Sequence, residues 1–338
     1  MGAWRALGSF IGGHMMFFAP ACVVVAVLFP DQIVVLKPLV PFLFALMTFQ
    51  GSLSNNLSHL AQTVRYPAPM FVTLAVSAVL MPTLACAVGT LLFGSNPNLV
   101  CGIVLEYTVP VAVVSSMWIG LFGGDMSLGL ATMLVSTVAA PVTMPLTLKV
   151  LLGQTVAVDA GRMVAEMLVQ IAVPALAGML VNDLTHGWGK RTLSPAISPA
   201  ARVGMLMVML ANSTGIAPYV RALTPQLVGV AAFIGVFATS GYVWGLLVAR
   251  LWKRDRETTV TMTFQCGMRN ISAGAVVAAQ FFGGETMFPV IIGTLFQQVL
   301  AACFGSLMRR VLGEAAEEPD TAGAASDGVI PAGEKGVR

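Results

Sequence analysis

The residues of this sequence best suited to chemistry are polar and charged side chains set inside long apolar segments. The segment 258–282 carries Gln265, Arg269 and Asn270 in close succession. A guanidinium does not deprotonate in proteins, and its planar fork of donors matches a carboxylate. Neighbouring amides add further donors and acceptors. This combination indicates binding of an organic anion.

Two apolar segments interrupt their own helices. Pro110, in the middle of 99–121, removes a backbone donor and clashes with the preceding turn, and Gly267 breaks 258–282 among polar neighbours. Broken helices are tolerated at membrane depth only where protein or a watery cavity satisfies the freed backbone groups. A pair of such breaks indicates a binding site.

Three polar residues are expected at the starts of the second half-helices: Ser115, Ser116 and Asn270. Free N–H groups and the positive end of the helix dipole favour anions there. In an unbroken helix such serines would instead bond back to the previous turn. We predict that Ser115, Ser116, Gln265, Arg269 and Asn270 contact substrate.

Arg269 has two interpretations, which can both hold. A charged side chain near the bilayer centre costs about 2.5–3.5 kcal/mol on insertion scales, so it needs a partner or a cavity. It could bond exposed carbonyls of the broken helix as a structural cation, or it could attract an anionic substrate. We predict the substrate role.

Glu106 lies one turn before Pro110 and is the carboxylate placed deepest in the predicted membrane region. It could pair with Arg269, it could titrate and couple transport to protons, or it could lie at the end of a cavity. It is the candidate coupling residue.

The composition excludes most soluble functions. Of the 338 residues 57% are hydrophobic and 10% are charged, against about 25% charged in soluble domains. The net charge is +3 without a basic stripe, so no nucleic-acid partner is expected. The cysteines lack paired or metal-ligand spacing, and we predict no metal, no cofactor and no enzymatic activity.

Apolar runs long enough to cross a bilayer predict an all-α polytopic membrane protein with ten spans. The predicted spans are 10–29, 37–54, 69–93, 99–121, 127–152, 163–182, 203–220, 226–249, 258–282 and 286–308. With the amino terminus in the cytoplasm, most Lys and Arg residues lie on the cytoplasmic side. Both termini are therefore predicted to be cytoplasmic, and the first span is predicted to be retained rather than cleaved as a signal peptide.

An internal duplication divides the chain. The string FGGD at 122–125 recurs as FGGE at 282–285, each between two spans. Two five-span halves, 1–152 and 153–312, then have opposite orientations, as in transporters with inverted repeats. The polar stretch 313–338 is predicted to be a disordered cytoplasmic tail.

In these motifs the chain resembles the bile acid:sodium symporter family. The matching strings are TFQGSLS at 48–54, LMP at 80–82, P-x-x-x-x-S at 110–115, ST-x-x-x-P at 136–141 and CGMRN at 266–270. The resemblance implies ten helices in two inverted five-helix repeats, with spans one, two, six and seven as a panel and the others as a core. It also implies that broken spans four and nine cross in that core.

The chain departs from the sodium-coupled members of that family at several positions. Ser116 stands for Asn, Gln265 for Glu, Arg269 for Gln and Ser77 for Gln, while Gly129 and Met133 replace hydroxyl residues in an ungapped comparison. Hard cations prefer several oxygen ligands, including a carboxylate. Sodium is therefore predicted not to be required.

The sequence thus predicts a secondary transporter in the plasma membrane that moves a small organic anion by alternating access. A sodium-coupled bile acid or organic anion symporter and an arsenite-type permease are the alternatives within transporters, and a channel or receptor is the alternative outside them. The expected partners are the substrate and the lipid bilayer. Substrate size and oligomeric state remain open.

The charge asymmetry yields a topology prediction. Cysteines introduced into the loops 183–202 and 250–257 and into the tail should react with maleimide only from the cytoplasmic side of intact cells. A cysteine at Lys37 should react from the opposite side. Labelling of either loop from outside would contradict the five-plus-five arrangement.

Overall fold

The computed structural model describes residues 2–56, 67–153, 156–157 and 159–312. The predicted disordered tail, 313–338, lies outside the described residues. The described ranges are helical, and their extended pairing is limited to an isolated antiparallel bridge between Val111 and Arg269.

The helices of the described ranges are numbered here in chain order. They are α1 (Gly2–Gly13), α2 (Met15–Leu28), α3 (Pro30–Ser52), α4 (Ala68–Phe93), α5 (Pro97–Thr108), α6 (Ser115–Leu121), α7 (Met126–Leu152), α8 (Ala160–Leu184), α9 (Gly189–Arg221), α10 (Pro225–Leu251), α11 (Arg256–Gly267), α12 (Ile271–Phe281) and α13 (Gly284–Leu312).

Seven helices of the described ranges are long and apolar enough to cross a membrane: α3, α4, α7, α8, α9, α10 and α13. This confirms a polytopic all-helical membrane protein. The other three predicted spans coincide with the pairs α1 and α2, α5 and α6, and α11 and α12. Because these pairs consist of shorter helices, the count of ten spans stays a prediction.

Two helices begin well before the predicted spans that they contain. The helix of span seven begins at Gly189 instead of 203, and the helix of span two begins at Pro30 instead of 37. The predicted spans are limited to apolar runs and are bounded where charged residues or proline accumulate in the sequence. Lys and Arg are nevertheless good helix formers, and proline is well accommodated in a first helical turn, so both helices extend past the apolar run.

Prolines explain the irregular turns within the long helices. A proline cannot donate to the carbonyl four residues earlier, and its ring clashes with that carbonyl, so the turn before it widens. Wide turns of this kind are Val76–Leu80 before Pro82, Leu168–Ala172 before Pro174, and Gly189–Leu193 before Pro195.

The helices can be divided into two groups, which contact each other where α7 packs against α8 and where α9 packs against α12 and α13. The first helix group comprises α1, α2, α3, α8 and α9, where α9 packs against α1, α2 and α3, and α8 packs against α3. The second helix group comprises α4 to α7 and α10 to α13, where α5 packs against α4 and α13, and α10 packs against α11 and α13. Both interrupted helix pairs with polar centres lie in the second helix group.

One close helix contact in the second helix group joins α10 to α11. A Cβ added at Gly241 would lie 2.6 Å from the Cys266 oxygen, and one added at Gly245 would lie 2.6 Å from the Met262 oxygen. Small residues four positions apart let two backbones approach within a membrane. This contact fixes α11 immediately before its break.

Candidate functional site

The two interruptions of the second helix group cross each other. Residues 109–111 follow α5, residues 268–270 follow α11, and the two stretches run antiparallel. The Asn270 N–H donates to the Pro110 oxygen at 2.9 Å, and the Ala112 N–H donates to the Met268 oxygen at 3.2 Å. Backbone groups freed by the breaks therefore satisfy each other inside the protein.

Local sequence explains both breaks. Val109 adopts an extended conformation, φ −64° and ψ 152°, as expected for a residue before proline. On the other side α11 ends at Gly267, where an added Cβ would overlap the ring of Tyr242. The structure thus interrupts the helices at the two residues predicted as helix breaks.

Two side chains that the sequence analysis missed hold the crossing. Ser136 Oγ accepts the Val111 N–H at 3.0 Å, and Gln297 Oε1 accepts the Arg269 N–H at 2.8 Å. Each acceptor lies on the second helix after its own break, α7 for Ser136 and α13 for Gln297, 25 and 28 residues along the chain. Ser136 belongs to the ST-x-x-x-P string, and Gln297 is one of two glutamines in an apolar run, which was the available signal.

The duplicated loops also reach across to the opposite broken helix. The Asp125 N–H donates to the Glu257 oxygen at 3.2 Å, near the start of α11. Glu285 in turn accepts hydrogen bonds from the side chains of Asn96 (2.6 Å) and Asn98 (3.1 Å), at the start of α5. The two loops therefore occupy corresponding places relative to the two broken helices.

Arg269 is buried at the crossing, with 4% of its surface exposed. Its Nη2 donates to the Cys266 oxygen at 3.2 Å, whereas Nε has no hydrogen-bond partner. The guanidinium also interacts electrostatically with Glu106 and Tyr107. The bond to Cys266 is the contact expected of a structural cation, and the unpaired Nε leaves one donor for another ligand.

Glu106 is buried on α5, with 3% of its surface exposed. Its Oε1 lies against Gly293 of α13, where a Cβ would overlap it, and Oε2 has no hydrogen-bond partner. No Arg269 nitrogen lies within 4.0 Å of the carboxylate, so the direct ion pair weighed from sequence is not formed.

Three unpaired groups belong to this set of interacting residues: Glu106 Oε2, the Tyr107 hydroxyl and Arg269 Nε. Arg269 Nε can donate, Glu106 Oε2 can accept and the Tyr107 hydroxyl can do both, and all three side chains are buried. Buried polar groups in this state are normally satisfied by ordered water or a ligand. The arrangement can therefore bind a small polar molecule or relay a proton.

The two serines at the start of α6 differ in their bonding. Ser116 Oγ donates back to the Val113 oxygen at 2.8 Å, which is the ordinary pattern for a helical serine. Ser115 is fully buried, and its Oγ has no partner. Ser115 is thus the one of the pair that keeps its hydroxyl free for a ligand.

Gln265 and Asn270 each use part of their side chain in a hydrogen bond to the backbone. Gln265 Nε2 donates to the Gly129 oxygen at 2.7 Å, while its buried Oε1 has no partner. Asn270 Oδ1 accepts the Ala273 N–H at 3.3 Å and caps α12. Gly129, one of the altered positions, thus contributes its carbonyl to the site.

Removal of the side chains that hold the crossing should destabilise the protein. Ser136→Ala and Gln297→Leu each leave a buried N–H unpaired, which costs about 1–3 kcal/mol. Thr137→Val is the matched control for Ser136, because the Thr137 hydroxyl bonds back to the Met133 oxygen at 2.9 Å within its own helix. Thermal unfolding in detergent measures the effect, and equal losses for Ser136→Ala and Thr137→Val would contradict the role of Ser136.

Known proteins resemble this chain over most of its length. An uncharacterized protein, YbaS, of Bacillus subtilis is 36% identical over 296 residues, which cover 88% of this chain and 97% of YbaS. The human ileal sodium/bile acid cotransporter is 26% identical, covering 80% of this chain and 78% of the cotransporter. The probable sodium/metabolite cotransporter BASS1 of Arabidopsis thaliana is 25% identical, covering 75% of this chain and 63% of BASS1.

The sequence model of the sodium bile acid symporter family matches residues 40–222, from α3 through the end of α9. This match and the similarity to YbaS agree with the resemblance carried by the sequence motifs. The family consists of transporters and not of enzymes. The chain belongs to the sodium bile acid symporter family.

Proposed function

We propose that this protein is a secondary carrier that moves a small organic anion by alternating access without requiring sodium. Its ten spans form two inverted five-helix repeats, in which the first helix group is the panel and the second helix group is the core. Support comes from the two packing groups and from the matching positions of the duplicated loops.

The observation that carries this proposal is the antiparallel crossing of the two broken helices. Irregular backbone is expensive in a membrane, and transporters use it where substrate and coupling ions bind near the midplane. Ser115, Gln265, Arg269 and Asn270 all lie at or beside this crossing. A channel or receptor is the weaker candidate, because neither needs a pair of matching breaks.

Sodium independence follows from charge and from the donor set. At about 4 Å, two unit positive charges repel by about 4 kcal/mol at an effective dielectric near 20, which is nearly a thousandfold in affinity. Arg269 already occupies the Cys266 carbonyl, and Gln265 supplies an amide where sodium-coupled members have a carboxylate. A hard cation therefore meets a repelling charge and fewer oxygens.

Coupling to protons runs through Glu106 in this proposal. Glu106 and Arg269 are the two charged residues among the buried residues described, and they interact electrostatically without direct contact. An ionised Glu106 compensates Arg269, whereas a protonated Glu106 leaves the guanidinium free to attract an anion. Proton and anion binding then favour each other.

The two alternatives within transporters are a sodium-coupled carrier and an arsenite-type permease. A sodium-coupled carrier, the activity for which several of the relatives are named, would need backbone oxygens of the breaks to hold the ion. Arsenite permeases are known for a cysteine in the core of the fourth span. In this chain Ser115 and Ser116 lie in that region, and Cys101 lies near the end of the span. We propose that the carrier lies in the plasma membrane with both termini cytoplasmic.

Arg269 substitutions test the anion site. Loss of a charge-assisted hydrogen bond should weaken substrate binding roughly ten- to hundredfold in Arg269→Gln. Arg269→Lys should rescue binding only in part, because the bidentate fork is lost. Binding and thermal unfolding are measured on the same samples, and a loss of stability with unchanged affinity would assign Arg269 a purely structural role.

Uptake into proteoliposomes tests the coupling ion. The substrates tested are a panel of carboxylates, from small keto and hydroxy acids to bile salts. Each is measured in a sodium salt and again with potassium replacing sodium, and saturable uptake should be equal in the two salts. Saturable uptake that requires sodium in the absence of a proton gradient would refute sodium independence.

Glu106→Gln tests proton coupling in the same vesicles. An inwardly directed proton gradient should accelerate uptake by the wild-type carrier and have no effect on the variant, because the amide cannot titrate. Exchange of labelled for unlabelled substrate should persist in Glu106→Gln. A gradient response that survives the substitution would remove Glu106 from the coupling path.

A further inference from the structure

One hydrogen-bonded contact joins the two helix groups. Within the described ranges, the hydrogen bonds between them are those of Gln170 on α8 with Gln280 on α12. Gln170 Nε2 donates to Gln280 Oε1 at 3.2 Å, and Gln280 Nε2 donates to Gln170 Oε1 at 3.1 Å. The two amides thus satisfy each other reciprocally at the boundary between the helix groups.

The pair lies where the long helices are least regular. Gln170 is in the wide turn Leu168–Ala172 of α8 and is 9% exposed, and Gln280 is the penultimate residue of α12. Next to it, the Arg162 guanidinium lies 5.7 Å from the centre of the Phe281 ring, so α8 runs beside this end of α12. In the predicted topology this end of span nine faces the outside.

Hydrogen bonds inside one group are not affected when the groups move as bodies. Gln50 Nε2, for example, donates to Ser194 Oγ at 3.0 Å within the first helix group. The Gln170–Gln280 pair must instead break whenever α8 and α12 separate. Each freed amide then needs water or a ligand, because an unpaired buried amide is costly.

We propose that the Gln170–Gln280 amide pair is the external latch of the carrier, which closes the outer side in this conformation and opens when the panel and core separate. The latch rests on the proposed alternating-access function. Gln170 and Gln280 are positioning residues here, since they stabilise one conformation without taking part in a chemical step.

Reversible cross-linking tests the latch. Gln170→Cys and Gln280→Cys are introduced together after the native cysteines have been replaced. Oxidation should abolish uptake into proteoliposomes, and a reductant should restore it. The matched control is Gln50→Cys with Ser194→Cys, whose cross-link lies within the first helix group and should leave uptake unchanged. Full uptake by the oxidised Gln170→Cys, Gln280→Cys protein would overturn the latch.

A second readout does not depend on transport, so failure of the latch is distinguished from failure of the proposed function. Asn212 is buried on α9, which packs against α12, and neither polar atom of its side chain has a partner. An impermeant maleimide added outside should label Asn212→Cys slowly, and the Gln170–Gln280 cross-link should abolish that labelling, whereas the control cross-link should not.

Single substitutions complete the test on the same reporter. Gln280→Leu removes both hydrogen bonds and should accelerate labelling at Asn212→Cys roughly tenfold, because about one net buried hydrogen bond is lost from the closed state. Labelling that is insensitive to Gln280→Leu and to the cross-link would overturn the latch even if no tested anion is transported.

Discussion

The whole arrangement depends on satisfying unwound backbone inside a membrane. Water is absent from the bilayer core, so each N–H and carbonyl freed by a helix break must find a partner in the protein. The two breaks meet this constraint together, because the stretches beside Val111 and Arg269 pair with each other. Ser136 and Gln297 then accept the two N–H groups that the pairing leaves over. Neither break would be stable without the other.

The same constraint explains the buried charges. Arg269 is held by the Cys266 carbonyl that the break exposes, and Glu106 lies nearby without touching it. When Glu106 is ionised, such a pair is close to neutral as a unit, which lowers the cost of placing both charges in a low-dielectric interior. Because the two groups are not in direct contact, the balance between them can respond to a proton or to an anion, as a carrier requires.

The boundary between the helix groups has the opposite character. Its packing is mainly apolar, with Asn212 of α9 buried against α12, and in the described ranges its hydrogen bonds are confined to Gln170 and Gln280. Apolar contacts are non-directional, so two bodies can slide against each other at little cost as long as the buried area is maintained. Hydrogen bonds depend on geometry, so a reciprocal amide pair favours one relative position of the two helix groups. Alternating access needs two groups that move as bodies and a boundary between them with few hydrogen bonds to break.

The sequence by itself determined the membrane class, the positions of the breaks at Pro110 and Gly267, and the unusual residues around Arg269, because composition and proline chemistry are local properties. It did not reveal that α9 begins at Gly189, since charge was taken as the end of a helix. Only the tertiary structure decided that Ser136 and Gln297 hold the crossing, that Ser115 is free whereas Ser116 is bonded to its own helix, and that Gln170 meets Gln280. Apart from the local bond of Ser116 to the Val113 oxygen, these contacts join residues distant in the chain, and they depend on how helices pack, which no local pattern encodes.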